Sequence, residues 1–253
     1  MALTCISDFL AAVCDDNSIR IFTKDANLRL LAMCIALVGH SSVFCMTFLN
    51  AERHFSAGSY HLVYGDTSGA LREIVFRRED MQLRPRFLDR DRSGRAAYCM
   101  CYHSDRDLLA VGYESNVVRI FLTSSWQILL DIRVGSDVAI YSICFNHTAT
   151  AMFVGRERPG AANIWRLTHG GNVIHATQGP DIWGTTVNSV DFCTHAQRFW
   201  ITTDSGYLLK INEETNAIES IHLLNPGTPD RENALGPIRY DVYCVLSCLT
   251  WFG

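Results

Sequence analysis

The sequence predicts an all-β fold, a β-propeller of four-stranded antiparallel blades, with five complete units and a partial sixth. Three observations predict it. First, FCMTF (Phe44 to Phe48), YCMCY (Tyr98 to Tyr102), YSICF (Tyr141 to Phe145) and NSVDF (Asn188 to Phe192) share a five-residue pattern closed by an aromatic, and the closing residues recur at intervals of 54, 43 and 47 positions. That interval is the reach of four short strands. Second, NSIRIF (Asn17 to Phe22) returns as NVVRIF (Asn116 to Phe121), both β-branched and alternating as a half-buried strand requires. Third, turn residues separate the apolar runs, and no segment shows a helical period with caps.

The units follow in order. In the first (about 1–38), MALTCI leads to FLAAVC (Phe9 to Cys14), the turn Asp15-Asp16-Asn17, the strand ending at Phe22 and a last strand over Leu28 to Leu37. The second (39–94) runs from FCMTF through HLVYG (His61 to Gly65), the turn Asp66 to Gly69 and ALREIVF (Ala70 to Phe76) to MQLRPRF (Met81 to Phe87). The third (95–136) contains YCMCY, LLAVG (Leu108 to Gly112), the turn Glu114 to Asn116, NVVRIF and Trp126 to Val134. The fourth (137–181) contains YSICF, AMFVG (Ala151 to Gly155), a longer link over Arg156 to Gly160, ANIWRL (Ala162 to Leu167) and Asn172 to Thr177. The fifth (182–237) contains NSVDF, RFWIT (Arg198 to Thr202), Asp204-Ser205-Gly206, YLLKI (Tyr207 to Ile211) and Ala217 to Leu224. A sixth unit (238–253) begins with a strand near Tyr240 to Ser247 and goes no further, which predicts an open arc or a truncated seven-blade ring.

The chain has 253 residues, 48% hydrophobic and 19% charged, enough to bury a sizeable core in one domain over 1–253. Its net charge of −4 supplies no basic field for nucleic acid. The ten cysteines contain no C-x-x-C pair, and Cys45, Cys99, Cys101 and Cys144 fall inside the repeated strand. Reduced core thiols are the favoured interpretation, with disulfides or metal the alternative, and the expected location is the cytoplasm, the nucleus or both. The N-terminus carries Asp8 and no basic lead-in, unlike a signal peptide. Val242 to Phe252 is too short to span a membrane.

With these units in place, the chain resembles the WD-repeat β-propellers. The likeness rests on the four-strand period, on Gly39-His40 ahead of an inner strand, on Ile164-Trp165 closing a third strand, and on the turn acids Asp16, Asp66 and Asp204. The resemblance implies that His40 and Asp66 hydrogen-bond within their blade. More narrowly, Gly39 to Ser59 and Cys144 to Trp165 look like blades of the DDB–cullin associated factors, the substrate receptors of cullin-4 RING ubiquitin ligases. That family's adaptor-docking Trp-Asp-x-Arg is absent from every unit. The resemblance implies protein partners: a ligase adaptor and a substrate, or, as the alternative, the other subunits of a different cytoplasmic or nuclear assembly.

Little in the sequence points to catalysis. His40, as a base or ligand, competes with its structural hydrogen bond, and the three aspartates compete with ordinary turn formation. No zinc spacing, Walker loop, G-x-G-x-x-G or G-x-S-x-G elbow is present, so no metal or cofactor is expected. A propeller hydrolase with a triad assembled from distant residues is the remaining enzyme alternative. The most uneven composition lies between Arg72 and Arg95, where eight arginines face five acids for a local charge of +3. Arg77, Arg78, Arg84, Arg86, Arg90 and Arg92 are the candidate partner-binding residues, since guanidinium forks bind carboxylate or phosphate bidentately. The plainer alternative is a solvated strand and loop. Asn225 to Pro237 is a second candidate, as a long loop.

Overall fold

Every complete repeat folds as one sheet. The computed structural model describes residues 3–6, 8–23, 30–35, 41–49, 58–77, 83–135, 138–157, 162–170, 173–183 and 186–223. The first sheet contains β1 (Leu3–Cys5), β2 (Phe9–Val13), β3 (Ser18–Thr23) and β4 (Leu30–Ile35). The second contains β5 (Val43–Leu49), β6 (Ser59–Asp66), β7 (Ala70–Arg77) and β8 (Arg84–Arg90), and the third β9 (Ala97–His103), β10 (Leu108–Tyr113), β11 (Val117–Leu122) and β12 (Gln127–Arg133). The fourth contains β13 (Ile140–Phe145), β14 (Ala151–Arg156), β15 (Ala162–Gly170) and β16 (Val173–Trp183), and the fifth β17 (Val187–Cys193), β18 (Arg198–Thr203), β19 (Tyr207–Asn212) and β20 (Ile218–Leu223). Strand order follows chain order in every sheet, and neighbours run antiparallel, the pattern of propeller blades. No helix occurs among the described residues. The strand expected near Tyr240 to Ser247, and the Asn225 to Pro237 loop, lie outside them.

The chain divides into two compact units, one over Met1–Ile140 and Gly170–Ile174, the other over Tyr141–His169 and His175–Gly253. In the first unit, β6 is apolar on both faces because it is covered on both. Leu62 and Tyr64 join Phe9, Ile19, Ile21, Phe48 and Phe76 in one buried cluster. Val63, one residue out of phase, joins Leu71, Leu109, Val111 and Tyr113 in another. Each of the aliphatic and phenylalanine side chains here contributes about 1.5–3 kcal/mol on burial. In the second unit, Phe199 packs edge-on against Phe192 at 4.8 Å and lies 5.7 Å from Phe153.

The repeated inner strand works as a joint. Cys45 Sγ donates to the Ala97 carbonyl at 3.2 Å, Cys99 Sγ to the Ile140 carbonyl at 3.5 Å, and Ser142 Oγ to the Val187 carbonyl at 3.3 Å. All three donors hold the second position of the pattern, and each reaches the inner strand of the following sheet. The glycine one residue before the end of the second strand makes the room: a Cβ on Gly65 would lie 2.6 Å from that of Ala97, and one on Gly112 would lie 2.6 Å from both Cys99 Sγ and Ile140. Gly155 stands in the same relation to Ser142 and Val187. A small polar donor and a glycine therefore recur together because the backbone of the next sheet must come close.

Some boundaries differ from expectation. β8 runs to Arg90 instead of ending at Phe87, because its polar residues are paired: Arg86 with Glu73 of its own sheet, and Asp89 with Arg119 of β11 in the next. β15 continues to Gly170, so Trp165 lies inside its strand and does not close it. β16 continues to Trp183 past Gly179 and Pro180, which an outermost strand tolerates because no neighbour needs the missing N–H.

Candidate functional site

The turns joining second to third strands set one end of each sheet. Four of them close with the same i to i+3 hydrogen bond, Asn17 N to Cys14 O, Gly69 N to Asp66 O, Asn116 N to Tyr113 O and Gly206 N to Thr203 O. The last residue of each is left-handed, with φ of 59°, 73°, 65° and 78°. Asn and Gly occupy it because they tolerate that conformation. The three turn acids hold three different positions in this frame. Asp66 opens its turn, fully buried, and its Oδ1 accepts from Ser68 N, Ser68 Oγ and Ala70 N at 2.8, 2.6 and 3.2 Å. Asp16 is third and exposed; it accepts from Ser18 and from Arg20 at 2.8 Å, and these bonds hold its carboxyl at about 2. Asp204 is second and exposed, accepting from Ser205 Oγ at 3.1 Å. Trp165 Nε1 donates to Asn163 Oδ1 on its own strand at 3.0 Å. Gly39 and His40 lie outside the described residues.

The arginine run does not form one patch. Arg77 is exposed at the end of β7, across from the start of β8 where Arg84 lies, and Arg78 falls outside the described residues. Arg86 is exposed but bound to fully buried Glu73 at 2.5 Å. Arg72 sits over the Phe87 ring and 3.7 Å from Asp66. Arg90, Arg92 and Arg95 lie at the opposite end, where the link from β8 of one sheet to β9 of the next rests on the Asp66 turn: Asp91 N donates to Gly69 O and Arg90 Nε to Ser68 O. Arg95 approaches Glu114 at 3.6 Å, and Arg92 has no partner among the described residues.

Two residues that sequence reasoning missed stand at this same end. Register shifts show that Phe44 and Tyr98 are the extra residues of β-bulges in β5 and β9, and Asn188 is its counterpart in β17. A bulge re-aims its side chain. Phe44 is accordingly 42% exposed between buried neighbours, and its ring lies 4.9 Å from that of Tyr98. The signal was present in the sequence: both open the repeated pattern, where an aromatic precedes the small donor.

A buried polar network crosses the second sheet at its other end. Ser59 Oγ lies 3.4 Å from His61 Nε2, and His61 Nδ1 lies 2.7 Å from Glu73 Oε1. The order is that of a hydrolase triad, but the hydroxyl-to-imidazole contact is long and Ser59 is only 4% exposed, within a strand. Burial would raise the Glu73 carboxyl; the hydrogen bonds and charges of His61 and Arg86 outweigh it and hold the group below its ordinary value. Such a network satisfies its own buried charge. Cys5, Cys14, Cys45, Cys99, Cys101, Cys144 and Cys193 are free, and burial pushes the Cys45 and Cys99 thiols well up, away from nucleophilic thiolate.

No protein-family model and no curated protein sequence matches the chain. Solved structures do. Sqt1 from Chaetomium thermophilum aligns with a TM-score of 0.66 at 15% identity, over 88% of this chain and 58% of that one. A chain of the mitotic checkpoint complex aligns at 0.66 and 10% identity, over 88% and 65%. Raptor from Chaetomium thermophilum aligns at 0.64 and 15% identity, over 88% and 20%. This chain thus spans between a fifth and two thirds of the length of the proteins it resembles. The fold is that of a β-propeller of four-stranded antiparallel blades. At these identities the likeness speaks for the fold alone.

Proposed function

We propose that this chain is a non-enzymatic protein-interaction module whose working surface is the turn end of the second and third sheets. The observation that carries the proposal is the bulged Phe44–Tyr98 pair, Phe44 exposed and Tyr98 half-buried, at the same sheet end as Arg90, Arg92 and Arg95. Aromatic and arginine side chains supply large contact area and forked donors, and they are the residue types enriched where protein interfaces hold most of their energy. The mechanism is positional: the sheets fix the side chains, and no bond is made or broken. That one similar fold belongs to a chain of a multi-protein complex supports a scaffold role.

In its narrower form, the module is a substrate receptor of a cullin-4 ubiquitin ligase, which holds the adaptor with one rim and a substrate with the other. The sequence likeness of Gly39 to Ser59 and Cys144 to Trp165 supports this form, and the missing Trp-Asp-x-Arg weighs for a scaffold subunit of another assembly. Purification of the tagged chain at near-physiological salt, followed by crosslinking mass spectrometry, separates the two. Recovery of the ligase adaptor is the outcome the narrower form requires. Recovery of a stable complex without it ends that form and leaves the scaffold.

A further inference from the structure

At the turn end of the second and third sheets, the described acids are hydrogen-bonded or ion-paired while the arginines are more exposed. Asp66 is consumed by its turn. Buried Asp91 accepts from the backbone and hydroxyl of Ser93. Asp89 is bound by Arg119 at 2.5 Å, and Glu114 faces Arg95 and the Ala96 N–H. Among the described residues, what remains without a partner is the guanidinium of Arg92, the outer nitrogens of Arg90, whose Nε is held by a carbonyl, and most of Arg95, 63% exposed with a single long ion pair. The local surface is therefore basic, although the whole chain carries −4. Beside it the bulges at Phe44 and Tyr98 display two touching rings.

Taking the proposed interaction role as its basis, we infer that this surface binds an acidic, unphosphorylated peptide segment of another protein that carries one aromatic or aliphatic anchor. The carboxylates accept from Arg92 and from the free nitrogens of Arg90 and Arg95, and the anchor packs on Phe44 and Tyr98. Arg92 and Tyr98 lie six residues apart on the same segment. An extended chain covers that separation, at most about 20 Å, with about six residues. A short linear motif therefore matches the surface in both length and charge. The aromatic pair is too small to stack successive bases as a single-strand platform does.

Fluorescence anisotropy on the full chain tests this. The probe is a fluorescein-labelled twelve-residue peptide of Asp-Glu pairs interrupted by Phe. Comparison probes replace the acids by Asn and Gln, replace them by phosphoserine, or substitute a single-stranded oligouridine. The acidic peptide is expected to bind, with affinity falling as salt rises from about 50 to about 300 mM. The neutral peptide, and the acidic peptide against Arg92→Glu/Arg95→Glu, are each expected to bind at least about tenfold more weakly. Phe44→Ala is expected to weaken binding about five- to tenfold, and Arg77→Glu, at the far end of the sheet, to leave it unchanged. All three variants change exposed side chains, and an unaltered thermal melt verifies their folding. Equal binding of the neutral peptide, tighter binding of the phosphoserine peptide or oligouridine, or indifference to the double charge reversal overturns the inference. If protein partners are still crosslinked at Phe44 in that event, the interaction role stands and only the acidic specificity falls.

Discussion

Cys99 and Ser142 occupy one position of the repeated pattern and make one kind of bond, a donor to the carbonyl that opens the next inner strand. Sulfur and oxygen are interchangeable there only if size and donor are what matter. Cys99→Ser is expected to change stability by less than about 1.5 kcal/mol, and Cys99→Val, larger and without a donor, to cost about 1–3 kcal/mol. Gly112→Ala is expected to cost about 2 kcal/mol or more, since its Cβ meets Cys99 and Ile140 at 2.6 Å. Urea denaturation of the three variants checks these values. Arg119 is 4% exposed and joins Asp89 of one sheet to Asp131 of its own at 2.5 and 2.8 Å. Removing it strands both acids, and Arg119→Ala is expected to cost about 2–4 kcal/mol, less than a deeper site because both aspartates touch water. A double-mutant cycle with Asp89→Asn isolates the bond between the sheets. Glu73 gives a pH signature. Its carboxyl is held below the ordinary value, so its stabilising effect is complete above the unfolded value near about 4.3 and is lost as pH falls through the folded value. The Glu73→Gln variant should therefore be less stable at neutral pH by about 1–3 kcal/mol, and the gap should close in acid. The same variant pair answers the triad question: a serine-reactive fluorophosphonate probe is expected to leave Ser59 unlabelled, and Glu73-dependent labelling would refute the non-enzymatic proposal.

At the scale of strands, the period of two and the turn residues were enough to place all twenty described strands in five sheets. Strand interiors were legible because burial on both faces gives β6 and β10 nearly unbroken apolar runs. Strand ends were less so. β8 was displaced because Arg86 and Asp89 resemble a loop until their partners are known, Glu73 in the same sheet and Arg119 in the next. The bulges were invisible for a related reason. An extra residue on one strand is defined only by its partner's register, so Phe44 and Tyr98 looked like ordinary members of a core pattern. The outermost strand repeats the device, with Leu31, Leu88, Leu129 and Glu219 each left unpaired by a register shift. Such bulges add twist and spoil an edge for unwanted pairing. Hydrogen exchange is the corresponding measurement: amides of β6 and β10 are expected to exchange slowest, and those of β8 and β12 markedly faster. Equal protection across a sheet would mean that the outer strands are held by more than their single neighbour.

For the whole molecule, composition and the absence of catalytic spacing already favoured binding over chemistry, and the arginine run drew attention to one sheet. Only the fold divides that run. Arg77 and Arg84 go to one end, Arg86 is spent on Glu73, and Arg90, Arg92 and Arg95 gather at the end where the bulged aromatics stand. Sequence separation alone could not sort them, because antiparallel β7 and β8 bring Arg77 and Arg84 to one end while the length of β8 carries Arg90 to the other. This local pairing of bulge and base is the surface to which the proposed interaction role is assigned. Site-specific photocrosslinking tests that surface most directly. A photoreactive phenylalanine analogue is placed at Phe44 or, as the control, at exposed Phe87, and the adducts formed in cells are identified by mass spectrometry. We expect a defined protein adduct from position 44 that disappears when Arg92→Glu is added. No adduct from position 44, or one from position 87 alone, would contradict the assignment of the working surface.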